Sequence, residues 1–159
     1  TPSGVFQEEL HKCSRLVERM GSARTVSHYH VAKEFSYQTS QHAGDGWVLV
    51  GDAWGFIDPI YSSGVFFAMK SAEMAADAIV EGLRSDNTSA DQLGSWTDEF
   101  NTATQWIRKL VQAFYTNEFS FGQFIREHPQ HRANLTDLLI GRIFYDEAGR
   151  IFDDMYPLV

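Results

Sequence analysis

Residues 44–79, GDGWVLVGDAWGFIDPIYSSGVFFAMKSAEMAADAI, constrain the fold more than any other stretch. The apolar run Trp47, Val48, Leu49, Val50 stops abruptly at Gly51 and Asp52, as a buried strand of an open α/β sheet does when it feeds a sharp turn. A loop over 51–63 carries glycine, proline, aspartate and paired serines, and the spacing predicts a helix over 64–83 with Ser63 as N-cap. Lys70, Glu73, Asp77 and Glu81 form one polar stripe on that helix. Val65, Ala68, Met69, Ala72, Ala76, Ile79 and Leu83 are expected to form its buried face. Asp52, at the carboxyl end of a strand, stands where an open sheet receives a ligand hydroxyl. The first-turn amides at Gly64 offer a positive site for an anion or polar oxygen, and glycine lets a ligand approach the backbone. Read by itself, the same segment also fits a plain turn at Gly51 and Asp52 and a plain cap at Ser63.

The rest of the chain reads mainly as helix. Val5, Leu10, Cys13, Leu16, Val17 and Met20 predict an amphipathic helix over 5–20 with Cys13 buried, stopped by Gly21 and Ser22. Alternation predicts a half-buried strand over 25–33 and a short strand over 35–38, before a turn cluster at 41–46. Beyond a polar linker at 84–89, Leu93, Trp96, Phe100, Ala103, Ile107, Leu110 and Phe114 step by threes and fours, which predicts one long helix packed on its own protein. Short helices near 119–125, 135–140 and 151–155 follow. The fold class expected is α+β, mainly helical, divided at residues 1–85 and 86–159.

Composition excludes several functions. A net charge of −8 is the wrong sign for holding a phosphate backbone, so nucleic acid is not an expected partner. No apolar run approaches a membrane span and no leader pattern opens the chain, which makes the cytoplasm the default. One cysteine makes neither an internal disulfide nor a zinc site. His28 and His30 share a strand face, with His42 as a conceivable neighbour, but no carboxylate or thiol completes a metal set. His128 and His131 flank a proline and read as solvated, as do Lys12, Lys33, Lys70 and Lys109. Aromatic residues at 14% need cover, and Trp96, Phe100, Trp106, Phe114, Tyr115, Phe119 and Phe121 could line a hydrophobic cavity or pack the core. The acidic charge and the aromatic seam also fit a helical protein-interaction module.

Gly51-Asp52-Ala53, then Gly55-Phe56-Ile57-Asp58-Pro59, then Ser62-Ser63-Gly64-Val65 resemble the second flavin-binding motif of the FAD-dependent monooxygenase superfamily, most of all that of flavin-dependent halogenases. Geranylgeranyl-reductase-type enzymes, which use no halide, are a second relation. The resemblance implies the last strands and helix of an FAD/NAD(P)-binding domain followed by a helical region, with FAD as cofactor. NAD(P)H or a flavin reductase would supply electrons, and halide and a small-molecule substrate would take part. Carried over, Gly51, Asp52 and Ala53 would sit at the ribityl chain, Pro59 and Asp58 would shape the loop at the ring face, and Ser63, Gly64 and Val65 would face the pyrimidine edge. Ser63 and Gly64 would also hold the halide. Trp54 departs from the small residue usual after Gly-Asp-Ala. No GxGxxG fingerprint and no tryptophan-motif lysine occur here, so the resemblance implies the carboxyl-terminal third of such an enzyme and assigns no catalytic residue.

Overall fold

The computed structural model describes residues 1–33, 36–145 and 147–156. It is mainly helical and divides into two compact units, Thr1–Phe35 and Ser36–Val159. In the first, Thr1 caps α1 (Pro2–His11) by accepting the Gly4 N–H at 3.3 Å, and α2 (Ser14–Met20) follows. The continuous helix expected over 5–20 is broken because Cys13 takes an extended backbone, φ −121°. Cys13 is exposed, not buried, and no residue of either helix is buried. The amphipathic pattern is real but little among the described residues covers it: Phe6, 42% exposed, packs against the Tyr29 ring at 5.2 Å. Residues 25–33 form no strand, since no described segment pairs with them.

The second unit opens with two small antiparallel sheets. Strand β1 (Tyr37–Gln38) pairs with the later β4 (Gly55–Phe56), while β2 (Ala43–Gly44) and β3 (Trp47–Val48) form a hairpin. Its two-residue loop is Asp45-Gly46, and Gly46 supplies the φ of +79° that the reversal requires. Phe35, the expected start of the β1 strand, lies outside the described residues. The buried strand expected over 47–50 is instead half-exposed, because among the described residues it has a neighbour on one side only.

Helix α3 (Gly64–Arg84) forms as its spacing predicts, but it buries a different face. Phe67, Ser71, Ala75, Ala78 and Gly82 turn inward. The expected core face is open, with Val65 75%, Met69 71% and Leu83 68% exposed. This helix is apolar on two sides, and the packing uses the side with the smaller residues, which lets the chain after the helix lie close. A Cβ at Gly82 would sit 2.5 Å from the Asn87 carbonyl oxygen. Opposite that packed side, Val65, Met69 and Leu83 leave an open apolar stripe.

The long helix expected through Leu93 and Phe114 is also two pieces, α4 (Ala90–Leu93) and α5 (Thr97–Tyr115). At the break, Trp96 Nε1 donates to the Leu93 carbonyl at 3.0 Å and Thr97 Oγ1 to that of Gly94 at 2.7 Å, so side chains satisfy what the helix gives up. Asp45 of the hairpin accepts the Ala90 N–H at 2.9 Å and seats α4. Along α5 the seam Phe100, Ala103, Ile107 and Leu110 is buried, whereas Phe114 is half exposed. Lys109 is not on a solvated face: its Nζ lies 4.7 Å from the Trp106 and Tyr156 rings and 5.3 Å from that of Phe152. No described helix is long and apolar enough to cross a membrane.

Helices α6 (Phe121–Glu127), α7 (Arg132–Leu139) and α8 (Ile151–Met155) complete the unit. His131, between the first two, is buried rather than solvated; it stacks on Phe124 and its Nε2 lies 2.8 Å from Asp154 Oδ2, with His128 Nδ1 at 3.6 Å. The His131 hydrogen bond is the main cause that holds the Asp154 carboxyl below its usual range. A carboxyl lowered in this way stabilises the fold fully above its ordinary pKa, and that contribution fades as pH falls through the lowered value. Asp154→Ala is therefore expected to lower the urea midpoint near about pH 7, with the gap from the parent narrowing as acid protonates the carboxyl below the usual carboxylate range. A gap independent of pH would mean that the link is not ionic.

Candidate functional site

The candidate site is built where β3 runs out. Gly51 begins a tight turn, Gly51–Ala53, with φ +55°, and a Cβ there would lie 3.3 Å from the Ala68 Cβ of α3. Asp52 is exposed, and its carboxylate has no partner among the described residues, while its carbonyl accepts from the Tyr37 hydroxyl. Trp54 does not face outward as a cofactor contact would: it is 2% exposed, edge-on to Phe100 at 4.8 Å and stacked on His42 at 5.1 Å. Its carbonyl takes two bonds from Thr39, and its buried indole Nε1 has no hydrogen-bond partner among the described residues. His28 and His30 are exposed.

The loop then climbs to the start of α3. Asp58 accepts from the Ile60 N–H at 3.1 Å and from the Tyr115 hydroxyl at 3.3 Å; partial desolvation and then this carboxylate push the Tyr115 pKa up. Tyr61 donates to the Leu110 carbonyl at 3.1 Å, and burial pushes its phenol up to about 12. Ser62 takes a left-handed φ of +55°. Ser63 occupies the N-cap position, but its side chain makes no capping bond, so the first-turn amides of α3 stay uncapped by any side chain. Gly64 is exposed, and a Cβ built on it meets nothing within 4 Å.

Gly51, Asp52 and Gly64 line one hollow of about 20 Å³, together with Trp54, Phe67 and Phe100. Ser63 lines a second, apolar one of about 190 Å³ with Tyr61, Phe66, Ile107 and Leu138. Ala53, Pro59 and Val65 line neither. Sequence reasoning passed over Tyr61 and Ser71. The latter is fully buried and accepts the Gly51 N–H at 2.9 Å.

The family model described as tryptophan halogenase matches residues 13–140. The chain belongs to the tryptophan halogenase family. Among relatives in that family, a 1H-pyrrole-2-carbonyl-[peptidyl-carrier protein] chlorinase of Pseudomonas fluorescens is 25% identical over 154 residues, which are 97% of this chain and 34% of the chlorinase. The corresponding brominase of Pseudoalteromonas luteoviolacea is 32% identical over 142 residues, 89% of this chain and 33% of the brominase. The solved structure of the flavin-dependent brominase Bmp2 superposes with a TM-score of 0.70 at 32% identity, over 89% of this chain and 36% of Bmp2. The chain thus spans about a third of the length of the halogenases it matches.

Proposed function

We propose that this chain is the part of an FAD-dependent halogenase that holds the ribityl and pyrimidine side of the cofactor, with residues 1–85 carrying the flavin contacts and 86–159 forming a helical buttress behind them. The observation that carries the reading is the single hollow lined by both Asp52 and Gly64. The residues fit the group: a carboxylate without a partner, a bare glycine facing open space, an uncapped helix start and an orphan indole N–H beside the same hollow. Its volume is that of little more than one water, so it receives an edge of the ring, and other walls come from a larger body. The open apolar stripe of α3 agrees with that.

In this reading Asp52 accepts a hydrogen bond from a ribityl hydroxyl, and Gly51 and Ala53 shape its turn. The amides of Gly64 and Val65 face the pyrimidine edge, where the positive end of α3 favours the negative charge of the reduced form. Pro59 fixes the loop beside the ring, and the backbone at Ser63 and Gly64 seats the halide. Bound FAD would supply the redox chemistry, with electrons from NAD(P)H or a partner reductase and O₂ as the oxidant of halide. The substrate is a small aromatic group; the two bacterial relatives are named for a pyrrole-2-carbonyl group held on a peptidyl carrier protein. The enzyme works in the cytoplasm, where the reductant is at hand.

Asp52→Ala in the complete enzyme is expected to weaken FAD binding tenfold or more, by loss of a charge-assisted hydrogen bond of about 1.5–3 kcal/mol. Flavin-fluorescence titration checks it. Unchanged affinity, or a complete polypeptide that purifies colourless and takes up no FAD, overturns the reading.

A further inference from the structure

We infer that Ser71 is a positioning residue for the flavin site: its buried hydroxyl ties the turn that carries Asp52 to the helix that begins at Gly64, and so sets the spacing between the two. The inference rests on the flavin reading above.

Ser71 has no exposed surface. Its Oγ donates to the Ala68 carbonyl at 3.1 Å, as helical serines commonly do toward the preceding turn. That bond uses the only proton and leaves the oxygen free to accept, which it does from the Gly51 N–H, twenty residues away in sequence. The second bond adds nothing to the helix itself. Among the inward residues of α3, Phe67, Ser71, Ala75, Ala78 and Gly82, this is the only polar side chain, and a helix has no intrinsic preference for serine over alanine there. What requires a hydroxyl is the turn pressed against α3 at Ala68. Alanine would leave the Gly51 amide without its partner, and a larger residue would push the turn away.

The consequence reaches both ends of the site. Asp52 follows Gly51 directly in the chain. Gly64 lies about two turns before Ser71 on the same helix, a rigid lever. One bond therefore fixes the carboxylate relative to the helix start, and small errors in such placement have large effects on binding and chemistry.

The test is a double-mutant cycle in the complete FAD-containing enzyme: parent, Ser71→Ala, Asp52→Ala and both together. FAD dissociation constants and flavin midpoint potentials are read alongside melting temperature. If Ser71 acts through Asp52, Ser71→Ala weakens FAD binding roughly tenfold in the parent but less than about twofold in the Asp52→Ala background, while its effect on melting temperature is the same in both. Equal losses of affinity in the two backgrounds mark a merely structural serine and overturn the inference. No loss in Ser71→Ala beside a clear loss in Asp52→Ala overturns it too, and leaves the flavin reading standing. Unchanged binding in Asp52→Ala overturns both. Should Ser71→Ala fail to fold, Ser71→Cys, close in size but with a weakly accepting sulfur, is read in the same cycle.

Discussion

Replacing Phe100 with alanine is expected to lower the unfolding free energy by about 3–5 kcal/mol, the range for removing a large ring from a closed core. The ring is 1% exposed, and its neighbours are themselves rings: Trp54 at 4.8 Å, Trp96 at 5.4 Å, Phe144 at 5.9 Å and Phe67 at 6.0 Å. Three of the four contacts are edge-on, an arrangement that adds about 0.5–1.5 kcal/mol beyond burial for each pair. Stiff aromatic neighbours cannot flow into the space left behind, so the cavity term is paid nearly in full. Urea denaturation followed by tryptophan fluorescence measures the loss, with Ile107→Val on the same seam as a control expected to cost only about 0.5–1.5 kcal/mol. A loss below about 1 kcal/mol would show that the rings repack. Phe100 also lines the hollow shared by Asp52 and Gly64, so flavin affinity should fall together with stability.

That ring was legible in the sequence, because the seam Phe100, Ala103, Ile107 and Leu110 repeats at helical spacing and has one apolar side only. Helix α3 was legible as a helix and misleading as a surface. It carries two apolar sides, and periodicity states that a side is apolar without stating what will cover it. The same ignorance of partners explains the strand expected over 25–33 and the burial expected at Cys13: the patterns are present, but the described residues offer them nothing to pair with. The split between α4 and α5 was hidden because Gly94 interrupts the backbone while Leu93 and Trp96 keep the apolar spacing intact.

At the candidate site, Gly51, Asp52 and Gly64 stood out as backbone and charge signals, and they share a hollow. Ser71 did not stand out, since a helical serine carries no motif. The one signal was a lone hydroxyl among Phe67, Ala75, Ala78 and Gly82, and that face becomes recognisable only once the packing is known. Trp54, out of place beside a cofactor, is explained by the cleft between Phe100 and His42 that it fills.

Gly64→Val is expected to weaken FAD binding about a hundredfold while shifting the melting temperature of the flavin-free protein by no more than about 2 °C. The two glycines of the site differ in kind. Gly51 is needed by the fold: its φ of +55° disfavours any side chain and Ala68 leaves no room for one. Gly64 has neither constraint, for a Cβ there meets nothing within 4 Å and its backbone belongs to the first turn of a right-handed helix. A fold that tolerates a side chain at an exposed position, in a sequence that leaves it bare, points to close approach by something else. With the pyrimidine edge against the α3 amides, an isopropyl group would hold the ring off by its own thickness and remove the hydrogen bonds, about 1–1.5 kcal/mol apiece and two of them for a hundredfold. Gly64→Ala should fall between parent and valine. Titration of the flavin-free protein with FAD, beside its thermal unfolding curve, separates the outcomes. Binding within about threefold of the parent would place the flavin away from this helix start. A fall in melting temperature as large as that of Phe100→Ala would instead make Gly64 a packing glycine, in the class of Gly51.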